Sequence, residues 1–449
     1  MQGLPSDLDA DRQPPLSIPF AHFVIGGAVL LIGGAIAGLG SLVAPIRPAR
    51  AGTIHLLLAG WVALTIMGAM TQFVPVWSGT RLHSRRLAVA SLWLVTLGVV
   101  ALFLAFVTHA YPWLPAGATV LLAGFWVFAY NVARTLPSRS DLDVTEAHFA
   151  FAIGSLVLAT LFGWVLATDL SVRVLGTVSA RSPVSVRPPQ LLLAHLTLTI
   201  FGFVLATIVG ALYQLAPMFT QSETTALDDH LTHVEMVAFP AGVPLLAAGR
   251  LVDSQPVAVG GGVLVLVGMG AFVAFLVRRL WLARVETDPM LRRYWLVVLS
   301  LIGWILLSIP RWVGNAIDFY ARFGSPRATH LLFVGVITLT ILGTFYHVVP
   351  FIVWYHRYSD RLGYEAVPMV DDLYDDRVAT VELAFLTLGL VILWGGDAFA
   401  APAWVPLVGG NLFGFGVLLF VRNMIGVVWH HRPATFREVL ATLTGRSTS

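Results

Sequence analysis

Residues 55–75 read HLLLAGWVALTIMGAMTQFVP, and residues 330–350 read HLLFVGVITLTILGTFYHVVP. Each is apolar over the ~20 residues that a helix needs to cross a bilayer. Each also sets the same residue types at the same spacing: His55, Gly60, Gly68, Gln72 and Pro75 in one, His330, Gly335, Gly343, His347 and Pro350 in the other. A third stretch keeps Gly202, Gly210, Gln214 and Pro217, but its histidine, His195, is displaced by two residues, so that Thr197 holds the register position. On a helical wheel of ~100° per residue the glycines, Gln72 and Pro75 share one face and His55 looks the opposite way. Glycines allow close approach between membrane helices, while the far face presents an imidazole.

Around these stretches the hydropathy pattern predicts twelve spans, near 20–45, 52–76, 87–107, 114–134, 147–168, 190–216, 233–252, 257–279, 294–314, 329–353, 379–397 and 403–425. The matched segments are the second, sixth and tenth, which predicts an all-α membrane bundle of three related four-helix repeats. Their approximate limits are 19–135, 145–280 and 292–430, within a single membrane domain spanning 1–449. The neighbouring helices repeat as well: the first and fifth spans open with Ala21-His22-Phe23 and Ala147-His148-Phe149, and the seventh and eleventh share Val234-Glu235 and Val381-Glu382.

Composition agrees. The chain is 57% hydrophobic and 11% charged, with mean hydropathy +0.82, a balance that only lipid can solvate. With no cysteine, disulfides, thiolate metal sites and covalent haem attachment are excluded. Every one of the 27 basic residues is arginine, and these report orientation rather than nucleic-acid binding. A cytoplasmic N-terminus puts 18 arginines on the inner side and 9 outside. The expectation is therefore a multi-pass plasma-membrane protein with short cytoplasmic tails at 1–18 and 431–449. The first apolar stretch lacks a small-residue cleavage site and reads as a span rather than a removed signal.

That orientation places His55, His195 and His330 near the outer ends of their helices. Ionisable groups in lipid are costly and point to ligation, pairing or a polar cavity, and imidazole is a natural axial ligand of haem iron. A second polar level holds His22, His148, His347, Gln72 and Gln214, with Tyr213 and Tyr346 beside the repeat's polar position; it could line a proton or ligand path or bond helices together, and polar packing is the favoured expectation. His230 and His233, ahead of the seventh span, have metal-capable spacing but no third ligand, so a solvated helix start is expected. Glu235 and Glu382 could carry protons or pair with loop arginines.

Twelve helices, a 4+4+4 repeat and histidines at the outer ends of the second and tenth helices resemble subunit I of the heme-copper oxidase and nitric oxide reductase superfamily. The resemblance covers essentially the whole chain and is closest from His330 to Pro350, which looks like the tenth helix of the C-family cytochrome c oxidases. Residues 55–79, ending Pro75-x-Trp77-x-Gly79, are also similar to NnrS-type proteins, whose His-Glu pair this chain lacks. The resemblance implies one non-covalent haem b with His55 and His330 as its axial ligands. Arg311 and Arg327 are candidate propionate partners, since guanidinium pairs well with carboxylate, and His195 is a further candidate ligand.

The sequence departs from the family where catalysis sits. Ala328 replaces the histidine that holds the high-spin haem, Thr197 replaces the copper ligand of the sixth helix, and the seventh helix carries no adjacent histidine pair in its outer half. The resemblance therefore implies electron transfer or small-gas binding, in the bilayer and beside other respiratory or redox subunits, rather than a complete terminal oxidase. Two other readings stand open: a divergent nitric oxide or oxygen reductase with a rebuilt metal centre, and a cofactor-free twelve-helix transporter.

Overall fold

The structure, a computed structural model, describes residues 15–42, 50–138, 142–179, 187–402 and 404–431, so the expected terminal tails lie almost wholly outside the described residues. Among the described residues, twelve helices are long and apolar enough to cross a membrane. They are α1 (Ser17–Gly38), α2 (Arg50–Trp77), α3 (Arg85–Val107), α4 (Tyr111–Ala133), α5 (Val144–Val172) and α6 (Pro188–Thr220). The others are α7 (Ala226–Leu251), α8 (Gln255–Trp281), α9 (Pro289–Asn315), α10 (Leu331–Tyr355), α11 (Asp376–Ala398) and α12 (Trp404–His431). The chain is a multi-pass, all-helical membrane protein, as expected where lipid offers the backbone no hydrogen-bond partners and each segment must satisfy its own.

Two compact units emerge. One contains α1 to α5 and the middle of α6, Gly202–Gly210; the other contains Pro189–Phe201, the end of α6 from Ala211 onward, and α7 to α12.

Helix starts lie further into polar sequence than hydropathy suggests. The first turns of α7 carry Asp228, Asp229, His230 and His233, yet the helix begins at Ala226 because Asp228 closes a capping box with Thr225. Asp228 is buried and bonds Arg278 at 3.0 Å and Arg279 at 2.6 Å, both from α8. Asp288 caps α9 by accepting from Leu291 N–H at 2.7 Å. Asparagines clamp two other starts. Asn131 of α4 accepts from Ser84 N–H at 2.9 Å and donates to Ser84 O at 3.0 Å. Asn423 of α12 does the same to Asp375, at 3.0 Å in each direction.

Three hairpins, α3–α4, α7–α8 and α11–α12, are closed by glycines at corresponding places. A methyl on Gly98 would stand 2.5 Å from Leu121 N, on Gly242 2.6 Å from Val265 N, and on Gly389 2.6 Å from Phe413 N. Facing them, Gly124, Gly268 and Gly416 press on Val95, Phe239 and Leu386. Gly117, Gly261 and Gly409 lie against the backbones of Leu102, Leu246 and Leu393. The first helix of each expected repeat meets the second in a similar way: Gly68 packs on His22, Gly210 on His148, and Gly343 on Arg293 and Tyr294.

The closest approach gives a clean test. A Cβ at Gly261 would come within 2.2 Å of Leu246 N, whereas nothing lies within 4 Å of one at Gly260. Gly261→Ala is expected to cost about 3 kcal/mol by forcing two backbones apart. Gly260→Ala is expected to leave thermal unfolding in detergent unchanged, and equal behaviour of the pair would refute the close-packed hairpin.

Candidate functional site

Each of the three matched helices changes pitch along its length. α2 is π-helical over Leu58–Ala63, α6 over Leu198–Leu205, and the α10 segment over Leu331–Thr338. A π segment uses i→i+5 bonds of poorer geometry and recurs at functional positions. The segments contain Gly60, Gly202 and Gly335 and lie just past His55, Thr197 and His330. The uniform helical wheel is corrected here: the wider turns between His55 and Gly68 rotate the two ends of α2 relative to each other. What each side chain faces follows from its contacts.

His55, partly buried, directs Nδ1 to Ala51 O at 2.8 Å, one turn back, and its ring stacks on Phe106 of α3 at 5.9 Å between centroids. His330 directs Nδ1 to Asp397 Oδ2 of α11 at 2.5 Å, with the imidazole 30% and the carboxylate 23% exposed. In both histidines Nδ1 is engaged and Nε2 makes no hydrogen bond among the described residues. A hydrogen bond at one ring nitrogen fixes the tautomer and frees the other as a ligand, and a carboxylate partner also raises the ring's basicity.

The corresponding place in α6 is built differently. Thr197 accepts from Arg250 Nη1 of α7 at 2.7 Å and passes its own proton to Leu193 O at 2.7 Å. The Arg250 guanidinium is fully buried. It also donates to Ala316 O, Arg322 O and Ala321 O, each at 3.0 Å, and lies 5.7 Å from the Trp312 ring centre. Trp312 Nε1 shares Ala321 O at 2.7 Å, and Trp304 Nε1 holds Phe323 O at 2.7 Å. Phe106, Arg250 and Asp397 stand at matching distances along α3, α7 and α11 from the hairpin glycines Gly98, Gly242 and Gly389.

Compared with known proteins, the chain matches no family model and no curated protein. Its chemistry must be read from its own side chains.

The remaining sequence-predicted residues are placed as follows. His195 is partly buried two residues before Thr197. Arg311 is half-exposed and reaches Asp318 at 3.5 Å, and Arg327 is exposed in the short turn ahead of His330. His230 and His233 lie within α7 rather than ahead of it, both exposed. Among the described residues no group of three or more His, Asp or Glu side chains converges as a metal-ion site. His22 and His148 turn Nδ1 onto Ile18 O and Val144 O, while His347 packs on Phe219 and Phe351.

Asp397 is the neighbour of His330 that sequence reasoning passed over. An acidic residue at the apolar end of the eleventh span is itself the signal, because an ionisable group there needs a partner.

Proposed function

We propose that this chain is a haem b-binding membrane protein with the architecture of heme-copper oxidase subunit I, in which His55 and His330 are the axial ligands. The observation that carries the proposal is the Nδ1 contact of His330 with Asp397, which leaves Nε2 as the ligating atom. His55 has the same tautomer through Ala51 O. These donors fit a bis-imidazole haem, which supplies one-electron exchange when bound.

A threefold 4+4+4 repeat underlies the proposal. It is supported by the three π segments, by the corresponding glycines of the α3–α4, α7–α8 and α11–α12 hairpins, and by the paired positions His55 with Phe106, Thr197 with Arg250 and His330 with Asp397. In the second repeat a threonine and a buried arginine take the place of imidazole. A guanidinium there repels a metal cation, which weighs against a rebuilt reductase centre.

With both axial positions filled by imidazole, the chain's own residues have four tasks. Asp397 and Ala51 O orient the rings, the apolar helices exclude water, Arg311 and Arg327 offer positive charge for propionates, and Arg250 closes the second-repeat position. This suits outer-sphere electron transfer with redox partner subunits in the plasma membrane, both termini cytoplasmic; a gas would bind only if one imidazole let go.

A visible spectrum of the purified protein with haem quantitation tests this. About one low-spin b haem per chain is expected. A colourless protein would point to a carrier, and two haems with copper to a reductase.

A further inference from the structure

Away from the histidines, α9 to α12 enclose a polar network. Glu382 of α11, Arg293 of α9, Tyr346 of α10 and Asn423 of α12 are all buried, the first two fully. Glu382 Oε2 accepts from Arg293 Nη2 at 2.8 Å and from the Tyr346 hydroxyl. Its other oxygen, Oε1, is buried and has no hydrogen-bond partner among the described residues. Tyr346 in turn accepts from Asn423 Nδ2 at 3.0 Å, and the same amide grips the backbone of Asp375, where the 359–375 loop enters α11. The Tyr374 ring lies edge-on to Tyr346 at 4.9 Å.

An ionised carboxylate with an orphaned oxygen in a dry interior is expensive. Protonation, delivered at Oε2 by the Tyr346 hydroxyl, lowers that cost by removing the charge that the two oxygens share. Such neutralisation ordinarily strands the partner cation, but Arg293 keeps other contacts, although its buried Nε has no hydrogen-bond partner among the described residues. Its Nη1 bonds Pro289 O at 2.9 Å, its Nη2 bonds Ala379 O at 3.2 Å, and its guanidinium lies over the Tyr346 ring at 4.2 Å. Carbonyl dipoles and a π face hold the positive charge whether or not Glu382 carries a proton.

We propose that Glu382 is a proton-exchanging site inside the membrane domain, loaded from the 359–375 loop through the hydroxyl of Tyr346. The phenol passes its proton to Glu382 Oε2, the oxygen it already bonds, as its own oxygen takes a proton from solvent entering at the loop, so the tyrosine ends unchanged and Glu382 gains one proton. This site is independent of haem ligation. Among the described residues the charged and titratable groups facing Glu382 are Arg293 from α9 and Tyr346 from α10, with neutral Asn423 from α12 behind the tyrosine.

The mouth is suited to supply protons. Burial holds Asp288 above the usual carboxylate range, with Asp371 adding to it against the hydrogen bond from Leu291 N–H. Burial likewise raises Asp371, helped by Asp372 and Asp376. The second repeat carries Tyr213 and Glu235 at the corresponding places.

The test is labelling of the intact protein in lipid with dicyclohexylcarbodiimide, which adds only to a protonated carboxyl in an apolar setting, with adducts located by mass spectrometry. Labelling at Glu382 is expected, falling about tenfold per pH unit above its midpoint. Tyr346→Phe should slow severalfold the appearance of the Glu382 carboxyl C=O band after a downward pH jump followed by infrared spectroscopy, and Glu382→Gln should abolish that band. Absence of Glu382 labelling at every pH, or labelling indifferent to pH, would show a static ion pair and overturn the proposal.

Discussion

His330→Ala is expected to strip the purified protein of the proposed b haem, lowering occupancy by more than tenfold. The variant removes the imidazole that Asp397 holds in its ligating tautomer, and among the described residues no second histidine flanks that position on α10. His55→Ala should do the same or leave a five-coordinate, high-spin haem, because Phe106, stacked on His55, offers no donor atom. Asp397→Asn separates ligation from tuning. It keeps the imidazole but weakens the acceptor at Nδ1, so haem should stay while the midpoint potential rises, since a less basic imidazole stabilises the oxidised iron less. His347→Ala, set among Phe219 and Phe351, should leave the spectrum unchanged. Haem quantitation and a redox titration read all four variants. Unaltered low-spin spectra in both His55→Ala and His330→Ala would end the ligand assignment.

The spans were legible because lipid imposes a length. The second, expected at 52–76, runs Arg50–Trp77, and the eleventh, expected at 379–397, runs Asp376–Ala398. The larger differences lie where charge enters a helix. The seventh span was expected from 233 and starts at Ala226; the ninth was expected from 294 and starts at Pro289. Hydropathy counts Asp228 and Arg293 as breaks, but both are buried and paired, Asp228 with Arg279 and Arg293 with Glu382. The π turns left no trace in composition, since Leu58–Ala63 and Leu331–Thr338 read as ordinary apolar helix. Nor did the hairpin glycines stand out among 41 in the chain; only an approach such as that of Gly261 to Leu246 N distinguishes them from Gly260, which faces open space. At the candidate site, the histidines showed through their spacing. Their partners did not, because His330 reaches Asp397 and Thr197 reaches Arg250 across 67 and 53 residues.

Arg250→Met is expected to destabilise the fold by about 4 kcal/mol without touching a haem ligand. Methionine can fill most of the volume, so the loss comes from acceptors left behind. Ala316 O loses its donor from Arg250, while Ala321 O keeps Trp312 Nε1 and Thr197 keeps Leu193 O. An abandoned carbonyl costs about 1–3 kcal/mol when no water reaches it, Ala316 and Arg250 are fully buried, and the bonds that Arg250 makes to Arg322 O, Ala321 O and Thr197 are lost with it. Lysine should rescue little, because a point charge with one stem cannot reach the divergent acceptors that the planar fork spans at once. Thermal unfolding in detergent checks both variants. Wild-type stability in Arg250→Lys would mean that charge rather than the fork holds the 316–322 turn against α7. A folded Arg250→Met variant that retains the proposed haem would place this arginine in the scaffold joining α6 and α7, apart from the iron that His55 and His330 are proposed to hold.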